Sequence, residues 1–287
     1  MPTLALATAI AAAGLDDDMP PLLDACLAAG IDTHVVAWDD PTVSWARFDA
    51  VLLRSTWDYT QRLPAFLAWC DCMTALTTLL NPLPIVRWNT DKHYLADLAA
   101  AGVPTVPSAF VEPGQAADAF PDHDEFVVKP TVSAGSRDTQ RYVRAERAAA
   151  VAHAQRLLDA GRAVVVQPYL HAVDEAGETA LLFFDGRFSH AIRKGPLLAR
   201  GADATRALFA AEHITARTPS DEEKAIARRA LDAIPHGRPL YARVDLLPSP
   251  AGPQLLELEL TEPSLFLATA AGAAARFAEL LAARLAR

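Results

Sequence analysis

The sequence has little of what marks membrane, secreted or zinc proteins. No run of about 18 consecutive apolar residues occurs, so no membrane-spanning helix is predicted. The apolar start, MPTLALATAIAAAG, has no basic segment and is more typical of a strand and turn than of a signal peptide. The only cysteines are Cys26, Cys70 and Cys72, and neither they nor the scattered histidines have the spacing of zinc ligands. We therefore expect reduced thiols and a cytoplasmic location.

Positive charge is also in short supply. The formal net charge is −9, which argues against nucleic acid or an anionic membrane surface as a partner. Small molecules are then the expected partners, and a homo-oligomer is compatible with this composition. With 287 residues, of which 52% are hydrophobic, the chain can form about two domains with a substantial core.

Lysine is rarer than arginine, and its few positions are informative. The lysines are Lys92, Lys129, Lys194 and Lys224. A chain that uses arginine by default can keep lysine where a compact point charge is needed, as on a phosphate group. Lys224 lies in a charged helical run, SDEEKAIARRALDAI, and is predicted to be a surface residue. The other three lie near predicted strands, turns or a helix start, and they are candidates for phosphate binding.

The first part of the chain predicts a small parallel sheet. Strands are expected at Thr3–Ile10, Thr33–Trp38 and Phe48–Arg54, with a helix at Pro20–Ala29 between the first two. This β-α-β order is typical of α/β folds. The first turn lacks the G-x-G-x-x-G pattern, so a dinucleotide site is not expected there.

The rest of the chain mixes helices with antiparallel strands. A long segment at Gly195–Thr218 shows no clear periodicity, and its length indicates a lid or substrate loop. The further elements predicted are helices at Pro64–Leu80, Asp91–Ala101, Ala145–Ala160, Ser220–Ile234 and Ser264–Arg287, and strands at Ile85–Arg87, Phe126–Lys129, Ala163–Gln167, Thr179–Phe184 and Arg187–Ile192.

Two loops carry polar residues that could bind ligands. Arg54 follows a predicted strand at its carboxyl end, where open α/β sheets bind ligands. It could hold a substrate carboxylate or pair with Asp58, and the sequence does not choose between these roles. The turn around Ser133, Gly135 and Ser136 could cradle phosphate oxygens with its backbone N–H groups. Most Ser/Gly turns are merely turns, so this signal is weak by itself.

The most informative stretch is Leu240–Ser264, LYARVDLLPSPAGPQLLELELTEPS, which predicts a β-hairpin. If Asp245 lies opposite Glu257, Arg243 lies opposite Glu259, and three carboxylates surround one arginine. Opposed like charges destabilise a sheet, and a hard divalent cation such as magnesium would relieve the repulsion. The alternative is the solvated polar face of an ordinary amphipathic hairpin.

These two interpretations of the hairpin predict opposite effects of Glu257→Gln on the metal-free protein. If the carboxylates are metal ligands that repel one another, metal-free stability should stay level or rise slightly. If Glu257 pairs with a cation in the sheet, stability should fall and activity should largely remain.

Five segments, in this order, resemble the ATP-grasp ligases, and in particular the bacterial glutathione synthetase branch. They are VLLRSTWDY, LNPLPIVRWNTDKHYL, FVVKP, VVVQPYL and ELELTEPS. The resemblance extends over about four-fifths of the chain. It implies an ATP-grasp fold of α/β class, with α+β character in the C-terminal part and a Rossmann-like domain in front. The implied divisions are 1–90 for this first domain, 91–165 for a central nucleotide-covering subdomain and 166–287 for a C-terminal subdomain with the metal and catalytic site.

The resemblance also implies roles for individual residues. ATP and Mg²⁺ are the implied cofactors. The implied nucleotide contacts are Lys92, Lys129, Ser133, Gly135, Ser136, Gln167, Tyr169, Leu170 and Glu178. The implied metal ligands are Asp245, Glu257 and Glu259, the catalytic cations are Arg193, Lys194 and Arg243, and the substrate contacts are Arg54, Ser55 and Asp58.

Three departures from the family pattern bear on the substrate. Glu259 stands where the family usually has asparagine, the phosphate loop is short of glycine, and no arginine follows Glu178. The segments RSTWDY and TEPSL are most similar to those of a subgroup of these ligases that acts in antibiotic pathways. One member of this subgroup closes O-ureido-serine to cycloserine.

The resemblance implies an ATP-dependent carboxylate–amine ligase that works through an acyl phosphate. The specific expectation is intramolecular closure of O-ureido-D-serine to D-cycloserine. The alternatives are an intermolecular ligase of amino acids or peptides and a regulatory protein that binds ATP without catalysis. A phosphoryl-stabilising arginine favours the enzyme, since binding alone does not require one.

Overall fold

The first of three β-sheets is parallel and has the strand order β2-β1-β3-β4. The computed structural model describes residues 1–198 and 213–286. All four residues of β3 are buried, as expected for an inner parallel strand covered on both faces. The strands of this sheet are β1 (Thr3–Thr8), β2 (Asp32–Ala37), β3 (Ala50–Leu53) and β4 (Thr78–Leu80).

Three helices cover this first sheet. On one face, Leu4 and Leu6 of the sheet share a core with Leu22 and with Phe277 of the last helix. The other face packs against an aromatic cluster that includes Phe66. The helices are α1 (Met19–Ala28), α2 (Leu63–Leu76) and α8 (Ala273–Leu285).

The second sheet is antiparallel, with the order β5-β8-β6-β7, and α5 (Arg147–Asp159) covers one of its faces. Every residue of the central strand β6 is buried. The strands are β5 (Ala109–Val111), β6 (Glu125–Pro130), β7 (Gln140–Val143) and β8 (Val164–Pro168).

The third sheet is also antiparallel, with the order β11-β10-β9-β12-β13. Its strands are β9 (Glu178–Phe184), β10 (Arg187–Lys194), β11 (Ile214–Ala216), β12 (Tyr241–Leu247) and β13 (Gln254–Glu259). The remaining helices are α3 (Leu83–Asn89), α4 (Tyr94–Ala100), α6 (Val173–Ala176) and α7 (Asp221–Asp232). Of these, α3, α4 and α7 contribute side chains to the core of the third sheet.

The hairpin β12–β13 has the predicted register. Asp245 lies opposite Glu257, and Arg243 lies opposite Glu259. A bulge follows Asp245 and shifts the pairing from Leu246 onward. The alternation of the sequence therefore predicted the polar face correctly up to the bulge.

Several predicted elements differ from the structure. The strand predicted at Ile85–Arg87 is wrong: these residues belong to α3, which begins with proline in its first turn. The helix predicted to run to Leu80 ends at Leu76, and Thr78–Leu80 forms strand β4. The last helix begins at Ala273 instead of Ser264. In the segment predicted as a lid, residues 214–216 form β11, and residues 199–212 lie outside the described residues.

The three-part division of the chain stays a proposal, and three helices cross it, since Ile85 of α3 belongs to the core of the third sheet. Leu95 and Leu98 of α4 belong to the core of the third sheet, and α8 belongs to the core of the first. In the described ranges, 1–198 and 213–286, no helix is both long and apolar enough to cross a bilayer.

Candidate active site

A cavity of about 510 Å³ opens between the second sheet, the third sheet and the loops at the end of the first. Its size falls in the usual range for small-molecule sites. All nine predicted nucleotide contacts line it: Lys92, Lys129, Ser133, Gly135, Ser136, Gln167, Tyr169, Leu170 and Glu178. The three predicted metal ligands and the predicted catalytic cations Lys194 and Arg243 line it too.

Asp245 is the buried centre of the charged network in this cavity. It is 1% exposed and accepts hydrogen bonds from Arg243, with Nε–Oδ1 and Nη2–Oδ2 distances of 2.9 Å. Lys194 donates to the same carboxylate, with an Nζ–Oδ2 distance of 2.7 Å. Burial alone raises the pKa of a carboxyl, but the two cations hold the pKa of Asp245 well below its ordinary value. Asp245 is therefore ionised at neutral pH.

Glu257 is paired with a lysine of the predicted nucleotide site. The Lys92 Nζ lies 2.7 Å from the Glu257 Oε1 and also donates to the carbonyl of Ser133 at 3.0 Å. Burial opposes ionisation of Glu257, but Lys92 and Lys129 lower its pKa. Burial lowers the pKa of Lys129 to about 8, although Glu257 partly offsets the effect. Through these contacts Lys92, in the turn before α4, joins the loop after β6 to the hairpin.

Two further carboxyl groups in the cavity are poised to titrate near neutrality. Burial raises the pKa of Glu178 to about 7, even though the Lys194 ammonium lies 2.7 Å from its Oε1. Burial also raises the pKa of Glu259 to about 7, although Glu259 accepts a hydrogen bond from Arg243. Removing buried carboxyl groups from water disfavours their charged form, so cations that approach here would change their protonation.

The predicted metal ligands are arranged as ion pairs. Asp245, Glu257 and Glu259 present only carboxylate oxygens, which suit a hard cation such as Mg²⁺. Within the described part of the chain, no three Asp, Glu, His or Cys side chains are grouped closely enough to hold a metal as they stand. The donor chemistry fits magnesium, but each carboxylate is turned toward a lysine or arginine, and Asp245 and Glu259 share Arg243.

The loop after β6, which is the predicted phosphate loop, has two successive residues in the left-handed region. Gly135 and Ser136 both have φ of 60°, in the left-handed region. Successive residues with such dihedrals can turn several N–H groups to one side, where an anion binds. At the other end of the cavity, Gln167 donates to the Ser108 hydroxyl at 2.9 Å, and Tyr169 and Leu170 line the wall between the second and third sheets.

The three predicted substrate contacts do not line the cavity. Arg54 is 1% exposed, and its guanidinium donates to Asp18 at 3.3 Å and to the carbonyl of Pro263 at 3.1 Å. Ser55 is buried against Thr8. Asp58 accepts hydrogen bonds from Trp38 and Arg62, so the alternative in which it pairs with Arg54 is also wrong. A guanidinium so fully enclosed is not available to a substrate carboxylate, and Arg54 instead anchors other parts of the protein.

Arg193 is likewise not among the residues that line the cavity. Successive residues of a strand point to opposite faces, so Lys194 faces the cavity and Arg193 faces away. The Arg193 guanidinium donates to the carbonyls of Ala176 at 2.6 Å and of Glu175 at 2.9 Å. The structure thus assigns Arg193 to positioning the loop before Glu178, and Lys194 takes the place beside the acidic centre.

Gly177 is the tightest point of that loop, and its replacement should be costly. It has φ of +73°, and a Cβ there would lie 2.5 Å from the carbonyl oxygen of Lys194 and 2.7 Å from the Arg193 Nε. We expect Gly177→Ala to lower the melting temperature, because the backbone at Lys194 and the Arg193 side chain must shift. Gly161→Ala is the matched control, since Gly161 has φ of +71° and open space around it. Its cost should be only that of the left-handed backbone, about 1–2 kcal/mol, and equal losses in both variants would contradict the steric role.

Sequence reasoning missed four residues around the cavity end formed by the first sheet. Glu262, Tyr59, Asp18 and Phe266 all line it. Burial, with the nearby charge of Glu259, raises the pKa of Glu262 to about 8, and the Tyr59 hydroxyl is hydrogen-bonded to it. None of these residues belongs to a periodic run. The signal available was the position of Glu262 directly after the hairpin.

Comparisons with known proteins agree on one group. A family model described as the N-terminal domain of D-cycloserine synthetase DcsG matches residues 4–81. The cycloserine biosynthesis protein DcsG of Streptomyces lavendulae is 45% identical, over 99% of each chain. A crystal structure of D-cycloserine synthetase DcsG superposes with a TM-score of 0.91 at 44% identity, over 99% of each chain. A D-alanine–D-alanine ligase from Bacillus anthracis superposes with a TM-score of 0.61 at 13% identity, over 98% of this chain and 95% of that one, and shows a shared fold.

Proposed function

Because this chain belongs to the DcsG family of ATP-grasp ligases, we propose that it closes O-ureido-D-serine to D-cycloserine with ATP. The predicted ATP-grasp fold and the predicted ATP-dependent ligase activity are confirmed by these relatives. The identity of the substrate, the metal and the role of each side chain belong to the proposal.

The observation that carries the proposal is the charge pattern of the cavity. Four buried cations, Lys92, Lys129, Lys194 and Arg243, line one continuous space together with the carboxylates of the hairpin. A triphosphate is the ligand that such an array of lysines suits, because each ammonium can make charge-assisted hydrogen bonds to phosphate oxygens. Tyr169 and Leu170 offer the flat, mostly apolar surface that an adenine needs.

The protein's task in such a reaction is positioning and charge neutralisation. The substrate carboxylate attacks the γ-phosphorus of ATP, ADP leaves, and an acyl phosphate forms. Lys92 and Lys129 would hold phosphate oxygens, and Lys194 with Arg243 would neutralise the charge that develops on the transferred phosphoryl group. Glu178 would accept hydrogen bonds from the ribose hydroxyls.

Asp245, Glu257 and Glu259 would hold magnesium. When bound, the metal supplies positive charge that screens the phosphates during transfer. Each of these carboxylates lies beside a lysine or arginine. The same cations could therefore contact the phosphates that the metal would bind.

Ring closure then requires the substrate to fold back on itself. The nitrogen next to the side-chain oxygen attacks the acyl carbon, the new C–N bond closes the ring, and phosphate leaves with the electron pair of the broken C–O bond. Atom balance between O-ureido-D-serine and D-cycloserine requires the carbamoyl group to leave as well, by hydrolysis. Holding the reacting atoms together is worth a large part of the barrier in such intramolecular steps.

The direct test is to incubate the purified protein with ATP, magnesium and O-ureido-D-serine. Equal amounts of ADP and D-cycloserine are expected, detected by coupled assay and mass spectrometry. ADP formation that depends on a different carboxylate, with an open-chain amide as product, would replace the cyclisation with an intermolecular ligation. Product that forms without ATP would contradict the mechanism.

Binding of ATP should depend on pH through Lys129. Since burial lowers the pKa of Lys129 to about 8, its ammonium loses its proton as the pH rises from about 7 to about 9. Phosphates bind the charged form, so ATP affinity should fall over this range. Glu257, Lys92, Glu178 and Asp245 also act on Lys129, so only the difference from a variant isolates its share.

Lys129→Met should weaken ATP binding at pH about 7 by about 1.5–3 kcal/mol, the value of a hydrogen bond to a charged group. Its affinity should also change less with pH than that of the wild type. Lys224→Met serves as the control, because Lys224 lies on α7 and pairs with Asp221 away from the cavity. Calorimetric titration with ATP at pH about 7 and at pH about 9 checks the prediction. If ATP affinity changes with pH identically in wild type and Lys129→Met, Lys129 does not belong to the phosphate site.

We further propose that the protein acts on free small molecules in the cytoplasm, without nucleic acid or membrane. The net charge of −9 supports this, and so do the free thiols of Cys26, Cys70 and Cys72. Sedimentation of the purified protein would distinguish a monomer from a homo-oligomer.

A further inference from the structure

Phe266 has a backbone conformation that a phenylalanine rarely adopts. Its φ is 50° and its ψ is 43°, in the left-handed region where a side chain is strained. Such strain persists only where surrounding contacts enforce it, and it is found most often at functional sites. The contacts around Phe266 are therefore informative about its role.

Those contacts come from the segments that follow strands β1 and β3 of the first sheet. The Asp18 carboxylate accepts three successive backbone N–H groups, from Leu265 at 2.5 Å, from Phe266 at 3.1 Å and from Leu267 at 2.6 Å. The Arg54 guanidinium donates hydrogen bonds to the same Asp18 carboxylate and to the carbonyl of Pro263. Asp18 and Arg54 are 5% and 1% exposed, so this anchor is shielded from water and stronger than a surface contact would be.

The anchor holds the Phe266 ring at the wall of the cavity. Phe266 is half-buried and lines the cavity together with Asp18, Trp57 and Tyr59. The guanidinium carbon of Arg243 lies 5.7 Å from the ring centroid. The ring thus stands next to a cation that would neutralise the transferred phosphoryl group, in the space where the amine must approach.

We propose that Phe266 is a specificity-determining residue that excludes an external amine from the acyl phosphate. The inference rests on the proposed function, since it explains why the activated carboxyl is attacked by a nitrogen of its own molecule. The cavity of about 510 Å³ must hold the nucleotide and the substrate together, and a fixed aromatic wall leaves the substrate a compact, folded-back shape. Holding that shape raises the effective concentration of the internal nitrogen.

Both competing reactions share the same acyl-transfer step. An amine nitrogen forms a bond to the acyl carbon, the C–O bond to phosphate breaks, phosphate leaves with its electron pair, and the nitrogen loses one proton to solvent. The source of the nitrogen differs, and only the internal route also loses the carbamoyl group to water, whereas the open-chain amide keeps it. The ratio of the two products therefore reports on access to the acyl carbon and is independent of how fast ATP is used.

The test uses O-ureido-D-serine with ATP, magnesium and an excess of D-alaninamide. Wild type should give D-cycloserine almost exclusively. Phe266→Gly and Phe266→Ala should both raise the ratio of open-chain amide to D-cycloserine by about tenfold or more, as expected when a pocket loses a large apolar group. Phe266→Leu should show a smaller rise. The KM for ATP should change much less than the product ratio in all three, because Phe266 is not among the proposed nucleotide contacts.

Comparing Phe266→Gly with Phe266→Ala separates the effect of losing the ring from the effect of the left-handed backbone. Glycine adopts positive φ without strain whereas alanine does not, so Phe266→Gly should melt above Phe266→Ala while the product ratios agree. An unchanged product ratio in a variant that still makes D-cycloserine overturns the proposal. Wild type that makes the open-chain amide as its main product overturns it without any variant. If wild type makes no D-cycloserine at all, the proposed function itself fails.

Discussion

Replacing Glu257 with glutamine should lower turnover by about 10²–10³-fold, the usual loss when one group that stabilises transition-state charge is removed. Glu257 lies on the charged face of the hairpin and pairs with Lys92 at 2.7 Å. Glutamine keeps the shape but loses the charge that would hold magnesium and orient the lysine. The substrate KM should change much less than turnover, because Glu257 would act on the nucleotide and the metal.

We expect the effect of Glu257→Gln on stability to be opposite in sign to what the metal-ligand interpretation of the hairpin predicts. That interpretation expected like charges to repel and the metal-free protein to gain or hold stability. In the structure, Lys92 and Lys129 lower the pKa of Glu257, so its charge is stabilising. We expect Glu257→Gln to lose about 1–3 kcal/mol of unfolding free energy, since it leaves a buried partner less well satisfied.

Both quantities should be measured on one preparation, with Glu279→Gln as control because Glu279 is an exposed residue of α8. Loss of turnover together with moderate loss of stability supports a carboxylate that serves both the fold and the chemistry. Near-normal turnover would end the assignment of Glu257 to the metal site.

The largest effect on stability is expected for Asp245→Asn. This carboxylate is 1% exposed and pairs with both Arg243 and Lys194. Neutralising it leaves two buried cations without their shared partner, and breaking a buried ion pair from one side typically costs about 3–5 kcal/mol. Activity should be lost as well, because both cations would move.

The difference in stability between wild type and Asp245→Asn should depend on pH, and the direction of that dependence can be worked out. The cations hold the pKa of Asp245 in the folded protein well below its ordinary value. The stabilisation is therefore present above the unfolded pKa, about 3.9, and is lost as the pH falls toward the folded pKa. Melting curves of wild type and Asp245→Asn should differ most near neutrality and converge in acid. The exposed Asp32 supplies the control, Asp32→Asn. If the difference in melting temperature between wild type and Asp245→Asn stays constant as the pH falls, the variant differs from wild type through packing and not through charge.

The sequence was sufficient for those parts of the site that follow from local periodicity. The pairing of Asp245 with Glu257 is confirmed because alternation along two adjacent strands leaves one register that buries the leucines. The scarcity of lysine was equally informative. Lys92, Lys129 and Lys194 all reach the cavity, and Lys224 lies on the surface of α7 as expected.

What the sequence could not supply depends on contacts between distant segments. Arg54 follows a strand at the expected edge of the sheet, but its partner Pro263 lies 209 positions away. Nothing local to Arg54 indicates that its guanidinium is enclosed. Arg193 and Lys194 are neighbours of similar charge, and only the placement of β10 beside β9 decides which of them faces the hairpin. Glu262 is in an irregular segment, where no periodicity reveals orientation.

The packing of α8 against the first sheet has a consequence for how the chain folds. Leu4 and Leu6 complete their core with Phe277 and Leu281, and Asp18 is bound to backbone groups as far as 249 positions away. Domains generally fold as units, those nearer the amino end first during synthesis. Here the parallel sheet stays unfinished until the chain has passed through both antiparallel sheets. Contacts so distant in sequence slow folding, and the apolar face that awaits α8 is where a chaperone would be expected to bind the nascent protein.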